Sequence, residues 1–338
     1  MVIARRRLLT SAGALTAGLG MPAIMRTAAA ASRMRLIVGT LDIGIQQTVI
    51  ASKVLDGASF DLQWAVLQGP AAHLSALYSK SIDVGEMGDT SLNIEQGRAK
   101  TDWSDTTAPL QVVAGWKNLN PAFPSTTTAV RTSANIATPA DLRGKKWAFN
   151  FGGYNYVQYL LSLARGGLTP RDVEPVQLAD GYATAAAFNA GRVDVYCGQP
   201  GPIQQALQSG AGRILLISDD LGIPGLTTFV ARRDVIQDYD KSVALWDFLN
   251  RVRRHWQWYS QNLDAVEKIY MEKLDQTATL AKYSAAFNES RFRPLGGRLL
   301  RAEQNVADVL FQNGGIPKKD DVHAELSDKF NTATVPEY

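Results

Sequence analysis

Short apolar runs alternate with amphipathic segments of helix length over most of this chain, and this alternation limits the possible folds more than any other feature. Strands that alternate with helices are typical of βαβ units, which build a mostly parallel sheet covered by helices. We predict strands at residues 36–40, 60–65, 82–85 and 110–116, and in a second series at 126–131, 146–149, 174–178, 193–197 and 213–218. From residue 245 onward the periodicity predicts helices, at 245–259, 263–274, 278–287 and 299–311. The sequence therefore predicts an α/β protein with a helical last third.

A short pattern occurs twice and suggests an internal repeat. Residues 76–84 (ALYSKSIDV) resemble residues 187–195 (AFNAGRVDV), and the aspartates Asp83 and Asp194 lie 111 positions apart (194 − 83). Each copy has the pattern of a helix end followed by a strand. Two similar α/β lobes with facing strand ends would form a cleft of the kind in which ligands bind. The alternative is a chance similarity between two common connections.

Residues 1–31 have the order of an export signal: charge, apolar core, small-residue cleavage site. Three arginines at 5–7 precede two leucines and an apolar run that ends in four alanines. The arginines followed by leucines resemble a twin-arginine signal, and an ordinary secretory signal is the alternative. Glycine and proline inside the run make it a poor permanent membrane span, and no lipid-attachment cysteine follows it. We therefore predict a free periplasmic protein.

Charge and cysteine content exclude several classes of function. The chain has 35 Lys plus Arg and 32 Asp plus Glu, and without the four arginines of residues 1–31 the balance is 31 − 32 = −1. A protein with that charge balance lacks the positive electrostatic potential that binding to nucleic acid requires. The lone Cys197 and the scattered His73, His255 and His323 do not form a metal-ligand pattern. We expect no metal, no other cofactor and no catalytic motif.

Three turns between a predicted strand and a predicted helix offer free backbone amides. They are Asp42-Ile43-Gly44-Ile45-Gln46, Gly88-Asp89-Thr90-Ser91 and Gly152-Gly153-Tyr154-Asn155. Unpaired amides and the helix dipole favour an anion at such a position. Taken alone each turn is a weak signal, because every turn of this kind has unpaired amides, but three converging turns predict a binding site.

At these residues the chain resembles the ABC-importer substrate-binding proteins of the aliphatic sulfonate, nitrate and taurine family. The resemblance covers about residues 35–234 in order. Its motifs are Ser81-Ile82-Asp83-Val84-Gly85 with Gly88-Asp89-Thr90, Asp141-Leu142-Arg143-Gly144-Lys145-Lys146, Gly167-Leu168-Thr169-Pro170-Arg171-Asp172-Val173, Val193-Asp194-Val195 and Phe229-Val230-Ala231-Arg232-Arg233-Asp234.

The resemblance implies a type II periplasmic-binding-protein fold with a hinge and a ligand cleft between two α/β lobes. One lobe would comprise residues 34–122 plus 226–338, and the other residues 123–225, with crossing strands near 118–131 and 223–232. A small organic anion would bind in the cleft, and an inner-membrane ABC permease would receive it. The protein would act as a monomer.

Carried over by position, the resemblance also implies the ligand-binding residues. The turn with Asp89 and Thr90 and the turn with Gly152, Gly153, Tyr154 and Asn155 would hold the anionic head. Gly44, Gln46 and Gln199 would complete the pocket.

Two departures from the family pattern leave the ligand open. Gly153, Tyr154 and Asn155 stand where family members often have Ser and His, and Gly198-Gln199-Pro200 stands where they often have Trp-Asp-Pro. Tyr154, Tyr156, Trp116 and Tyr182 could stack on a heterocycle instead. Three hypotheses follow, which are a sulfonate-like anion receptor, a neutral-heterocycle receptor, and an enzyme on the same fold that uses Cys197 or His73, such as a desulfinase or a pyrimidine-forming enzyme.

Overall fold

The computed structural model describes residues 33–118 and 120–335, so the predicted export signal lies outside the described residues. The strands are β1 (Met34–Thr40), β2 (Phe60–Val66), β3 (Val84–Gly88), β4 (Leu110–Asn118), β5 (Thr127–Arg131), β6 (Lys146–Asn150), β7 (Glu174–Leu178), β8 (Val195–Gly198), β9 (Gly212–Ile217), β10 (Thr227–Arg232) and β11 (Ser290–Arg293).

The α-helices are α1 (Gly44–Ala51), α2 (Pro70–Tyr78), α3 (Ser91–Arg98), α4 (Tyr154–Arg165), α5 (Gly181–Asn189), α6 (Gln204–Gln208), α7 (Arg233–Gln237), α8 (Tyr239–Gln261), α9 (Leu263–Leu274), α10 (Ala278–Asn288), α11 (Gly297–Gln312) and α12 (Asn331–Thr334). Short 3-10 helices lie at Thr132–Ala134, Pro139–Leu142, Pro170–Asp172, Gly201–Ile203, Ser218–Leu221, Val322–Glu325 and Asp328–Phe330. Of the helices in the described ranges, none combines the length and apolarity needed to cross a membrane.

Two mixed sheets form the centres of two lobes. The first sheet has the strand order β11-β4-β10-β3-β1-β2, and the second has the order β7-β6-β8-β5-β9. We call residues 33–118 and 227–335 the first lobe and residues 127–217 the second lobe. The chain therefore passes between the lobes twice, and β10 returns to the first sheet antiparallel to both β3 and β4.

Helices bury the faces of both sheets. In the first lobe Phe248 and Leu249 of the long helix α8 are fully buried and share a core with Phe229 of β10. In the second lobe Trp147 of β6 packs edge-on against Tyr159 of α4, with ring centroids 4.9 Å apart. Large aromatic surfaces removed from water stabilise each lobe and hold the strand ends in place.

The repeat predicted from the sequence is also a repeat of structure. Asp83 donates its backbone N–H to the Ile37 carbonyl (2.8 Å) and accepts the Ile37 N–H on its carboxylate (2.9 Å). Asp194 makes the same two contacts with Lys146, at 2.8 and 3.0 Å. Both copies connect a helix to a buried strand and tie it to the neighbouring parallel strand.

All nine predicted strands and the four predicted C-terminal helices overlap observed elements. Two of the eleven described strands are not among these nine. Strand β10 was expected only from the resemblance, as the crossing strand near 223–232. Strand β11 was missed, because Ser290–Arg293 is a four-residue edge strand of alternating small, charged and aromatic side chains between two helices. Such a segment has no sequence pattern that separates it from a loop.

Candidate functional site

A cavity of about 480 Å³ lies between the two lobes. Its first-lobe wall comprises the start of α1, the end of β3 and residues of α8, α9 and α10. Its second-lobe wall comprises the end of β6, the starts of α4 and α5, and the segment after β8. The strand ends and helix starts that meet here are where open α/β sheets bind ligands, and the volume is that of a small-molecule site.

Amide and phenol groups of the second-lobe wall hold one another in place. Gln199 donates its side-chain N–H to the Tyr154 hydroxyl (3.0 Å). The backbone carbonyl of Gln199 accepts a hydrogen bond from the Tyr196 hydroxyl (2.8 Å). Asn155 donates to the Asn150 side-chain oxygen (2.9 Å). Burial raises the pKa of Tyr154, against the hydrogen bond from Gln199, so this phenol stays neutral. Its proton remains free to donate into the cavity, since no described residue accepts it.

The start of α4 is an open helix N-terminus on this wall. No side chain caps it, and its first turn contains no acidic residue. Gly153, Tyr154 and Asn155 of this turn all line the cavity. The unpaired amides and the helix dipole make this end of the cavity favourable for an electron-rich group of a ligand.

Two carboxyl groups face the cavity from the first lobe. Asp42 accepts the Gly44 N–H (2.6 Å) and the Tyr182 hydroxyl (3.2 Å), so it joins the two lobes. Glu86 accepts the Leu41 N–H at Oε2 (3.1 Å), and among the described residues Oε1 has no hydrogen-bond donor. Burial and, to a smaller extent, repulsion from Asp42 raise the pKa of Glu86 to about 8, against the hydrogen bond from Leu41.

Aromatic rings surround these carboxyl groups. The ring of Tyr270 lies against Gly44, and burial raises its pKa to about 12, with Asp42 and Glu86 adding to the shift. Trp116 and Trp256 continue the wall with ring centroids 6.1 Å apart. The first-lobe wall therefore combines aromatic rings with two carboxyl groups.

The cavity wall contains no basic residue within the described part of the chain. Its ionisable carboxyl groups are those of Asp42, Glu86 and Asp180, and it has no Lys, Arg or His. Asp180 caps α5 by accepting the Ala183 N–H (2.8 Å). The start of α4 is thus the main electropositive feature of this wall.

The lobes approach each other closely at Gly88. A Cβ atom at this position would lie 2.0 Å from Cδ1 of Tyr154, which no real contact allows. Gly153 of the second lobe also lies close to the Pro70 side chain, where a Cβ atom would be 3.0 Å from Cγ. The absence of a side chain at residue 88 therefore lets the Tyr154 ring reach across to the first lobe.

The structure brings five of the nine predicted ligand-binding residues to the cavity wall. They are Gly44, Gly153, Tyr154, Asn155 and Gln199. Two predicted aromatic residues, Trp116 and Tyr182, also line it, whereas Tyr156 packs against Phe149 and Phe151 in the second lobe.

The other four predicted residues do not line the cavity. Gln46 lies two residues after Gly44 on α1, which rotates it about 200° away from the cavity face. Asp89 is buried, and its carboxylate accepts the Thr90 and Leu226 N–H groups at 2.8 and 2.6 Å. Thr90 is fully buried beside it, and Gly152 supplies a left-handed turn (φ 96°) before α4. Asp89 and Thr90 therefore fix the turn after β3 and the start of β10.

The two residues considered for catalysis lie outside the cavity wall. Cys197 is fully buried, its Sγ accepts the Trp147 indole N–H (3.1 Å), and burial raises its pKa to about 12. His73 is buried, bonds the Leu67 carbonyl (2.7 Å), and has a pKa lowered by burial. A buried neutral thiol of this kind is a packing residue and a poor nucleophile.

Sequence reasoning missed the residues that α8, α9 and α10 contribute, such as Trp256, Tyr270 and Tyr283. They lie more than 150 residues from β3 in sequence, and nothing local shows that they meet it. Glu86 was missed although it gave a signal, since a carboxyl group in an otherwise buried strand needs a reason to be there.

Comparisons with known proteins agree with this architecture. A sequence profile of the family described as NMT1/THI5 like matches residues 95–264. An Escherichia coli (strain K12) protein, provisionally named an aliphatic sulfonates-binding protein, is 25% identical over 272 residues, which are 78% of this chain and 79% of that protein.

Two solved structures show the fold. The alkanesulfonate-binding protein SsuA from Xanthomonas axonopodis pv. citri, bound to MOPS, superimposes with a TM-score of 0.72 at 21% identity and covers 88% of this chain and 98% of that chain. The desulfurization enzyme DSZB superimposes with a TM-score of 0.59 at 14% identity and covers 90% of this chain and 99% of that chain. The predicted two-lobed binding-protein fold is confirmed.

Proposed function

The chain belongs to the NMT1/THI5-like family, and from that premise we propose that it is a periplasmic solute-binding protein of an ABC importer. It takes one small organic solute into the cavity between its lobes and delivers it to an inner-membrane permease. The observation that carries this proposal is the cavity itself, because both lobes contribute side chains to its wall. Leader residues 1–31 direct export and are removed.

The start of α4 holds the electron-rich end of the solute. Its open amides and the free proton of the Tyr154 hydroxyl are hydrogen-bond donors on the same wall. A sulfonate group matches these donors and agrees with the names of the relatives. The anionic head predicted from the sequence is thus retained at α4, without a contribution from Asp89 or Thr90.

The protein binds its solute without transforming it. One structural neighbour is a desulfurization enzyme, so the fold is compatible with catalysis. In this chain the thiol of Cys197 and the imidazole of His73 are both away from the cavity wall, and the described residues of that wall include no cysteine and no histidine. Binding therefore has better support than turnover.

Calorimetric titration and thermal unfolding test the proposal. The purified protein, without residues 1–31, is mixed with alkanesulfonates, aromatic sulfonates, taurine, sulfate, nitrate and heterocyclic amines. A solute at about 100 times its Kd adds about 2.7 kcal/mol to the free energy of unfolding. Asn155→Leu weakens binding by about 1–3 kcal/mol, whereas Cys197→Ser leaves it unchanged. Turnover of a solute, or loss of binding in Cys197→Ser, would contradict the proposal.

A further inference from the structure

Resting on the proposed solute-binding function, we infer that the solute carries a positively charged nitrogen group, which binds at the first-lobe wall beside Asp42 and Glu86. The same solute presents its electron-rich end to the start of α4. The ligand class is therefore a zwitterion or an organic cation with a hydrogen-bond acceptor, and not a simple anion.

The charged groups of the cavity wall are the first observation that supports a positive nitrogen on the solute. Three carboxyl groups and no basic side chain line the cavity within the described residues. Next to a largely buried side chain such as Glu86, charges act more strongly on one another than they do in solution. A solute with only negative charge would be repelled by the Asp42 carboxylate and would keep Glu86 protonated. A positive nitrogen would be attracted to Asp42 and would favour the ionised form of Glu86.

The position of the Glu86 side chain is the second observation that supports it. Its side chain lines the cavity, although only 9% of the residue is exposed, and Oε1 has no donor among the described residues. This oxygen is therefore an open acceptor on a largely buried side chain, and a ligand group with a hydrogen-bond donor can fill it. A protonated amine or a charged heterocyclic N–H supplies both the donor and the opposite charge.

The helix N-termini at the cavity differ in whether a carboxylate of the protein already occupies them. Asp42 accepts the first N–H of α1, and Asp180 accepts an N–H at the start of α5, so both of these N-termini are occupied by the protein's own carboxylates. The start of α4 alone among these three has neither a cap nor an acidic residue. The wall is thus electropositive at α4 in the second lobe, and in the first lobe it is acidic at Asp42 and Glu86.

The aromatic side chains favour the same ligand class. Tyr154, Tyr182 and Tyr270 lie near enough to Asp42 and Glu86 for these carboxyl groups to raise the pKa of each phenol. All three residues line the cavity together with Trp116 and Trp256. Faces of tyrosine and tryptophan rings attract cationic nitrogen groups, and they attract them more when water is excluded.

Four probes with one aromatic ring form the test: para-(aminomethyl)benzenesulfonate, para-toluenesulfonate, para-methylbenzylamine and para-methylbenzyl alcohol. They present the amine and the sulfonate together, separately and not at all. Calorimetric titration measures each Kd at pH 7. We expect the amine to tighten binding by about ten- to a hundredfold, both with and without the sulfonate.

Charge-neutral variants locate the effect. Glu86→Gln and Asp42→Asn remove most of the amine's advantage but leave the affinity for para-toluenesulfonate the same or higher. Glu174→Gln and Asp61→Asn remove exposed carboxylates outside the cavity wall. These two variants change neither the amine's advantage nor the affinity for para-toluenesulfonate. Circular dichroism checks that each variant is folded.

The outcomes separate this inference from the proposed function. Binding that needs only the sulfonate, with no gain from the amine, would overturn the inference and leave the solute-binding function standing. An amine advantage that survives in both Glu86→Gln and Asp42→Asn would also overturn it. Failure of all four probes and of the wider sulfonate and amine panel would count against the solute-binding function itself.

Discussion

Both lobes contain the same helix-to-strand connection, but the aspartate in it has different surroundings in each lobe. In the first lobe Asp83 is buried and paired with Arg232 (3.0 Å) and Lys241 (2.7 Å). In the second lobe Asp194 is half-buried, and no ion pair to it occurs in the part of the chain that the structure describes. The backbone contacts alone are therefore sufficient to build the connection.

The added ion pairs follow from the path of the chain. The first lobe is assembled from two segments, and Arg232 ends β10 while Lys241 lies in α8, both in the returning segment. Asp83 fastens this segment to the N-terminal one. The second lobe is continuous from β5 to β9 and needs no such clamp. The cavity repeats the asymmetry, since the first lobe supplies Asp42 and Glu86 and the second supplies mainly amides and phenols.

Asp83→Asn and Asp194→Asn test this difference most strongly. Asp83→Asn leaves the buried Arg232 without its main partner, and breaking a buried ion pair costs about 3–5 kcal/mol. Because Asp234 still bonds Arg232 (2.8 Å), we expect about 3 kcal/mol. Asp194→Asn costs about 1 kcal/mol or less. Urea unfolding measures both, and equal losses would show that the clamp contributes nothing.

The pH dependence of binding tests the negative wall. Below about pH 8 the Glu86 carboxyl is protonated in the free protein. A positive nitrogen favours the ionised carboxylate, so binding releases a proton, and the affinity falls about tenfold for each pH unit below 8. The groups that face Glu86 are Asp42, Tyr154, Tyr182 and Tyr270, which are all acids.

From pH 6 to pH 8 the affinity for para-(aminomethyl)benzenesulfonate therefore rises by up to about 100-fold, while its amine stays protonated. Titration in buffers of different ionisation enthalpy measures the released proton directly. In Glu86→Gln the affinity no longer changes with pH over this range. An affinity that falls over this range would place the sulfonate, and not the amine, beside Glu86.

Gly88→Ala tests the close approach of the two walls. The added methyl group overlaps the Tyr154 ring, so the lobes must move apart or the ring must leave its position. Overpacking of this kind costs about 1–3 kcal/mol, which corresponds to about a ten- to hundredfold loss of affinity.

The double variant Gly88→Ala with Tyr154→Ala is the control for this effect. Relative to Tyr154→Ala alone, the alanine at residue 88 no longer weakens binding, because the ring that it meets is gone. A loss that is the same with and without Tyr154 would contradict the packing explanation.

Tyr182→Phe gives the smallest effect. It removes only the hydroxyl that joins the second lobe to Asp42, at a side chain that is largely exposed. We expect a two- to tenfold loss of affinity, from about 0.5–1.5 kcal/mol, with the unfolding midpoint unchanged. Tyr239→Phe, on an exposed tyrosine of α8 that is not part of the cavity wall, serves as the matched control.

The sequence predicted the scaffold better than the site. Strands and helices follow from local periodicity, and the repeat around Asp83 and Asp194 revealed the two lobes. The polar residues after strands were expected to face the cleft, but which of them line the cavity depends on rotation within a turn. Asp89 looks like Tyr154 in that respect, yet it points into the first lobe and bonds the Leu226 N–H.

The charge of the cavity was beyond local sequence reasoning for a different reason. Asp42 and Glu86 lie 44 positions apart (86 − 42), and the rings of Trp256 and Tyr270 come from helices far along the chain. Their joint effect exists only once the first lobe has closed on itself. The resemblance to sulfonate-binding proteins therefore predicted the electropositive end of the cavity and gave no indication of the negative end.

A crystal structure of the complex with para-(aminomethyl)benzenesulfonate tests the account most directly. We predict that the probe lies between the lobes, with its amine within about 3 Å of the carboxylate of Glu86 or Asp42 and its sulfonate at the first turn of α4. A probe bound outside this cavity, or one bound in the reverse direction with its sulfonate against Glu86, would contradict the account.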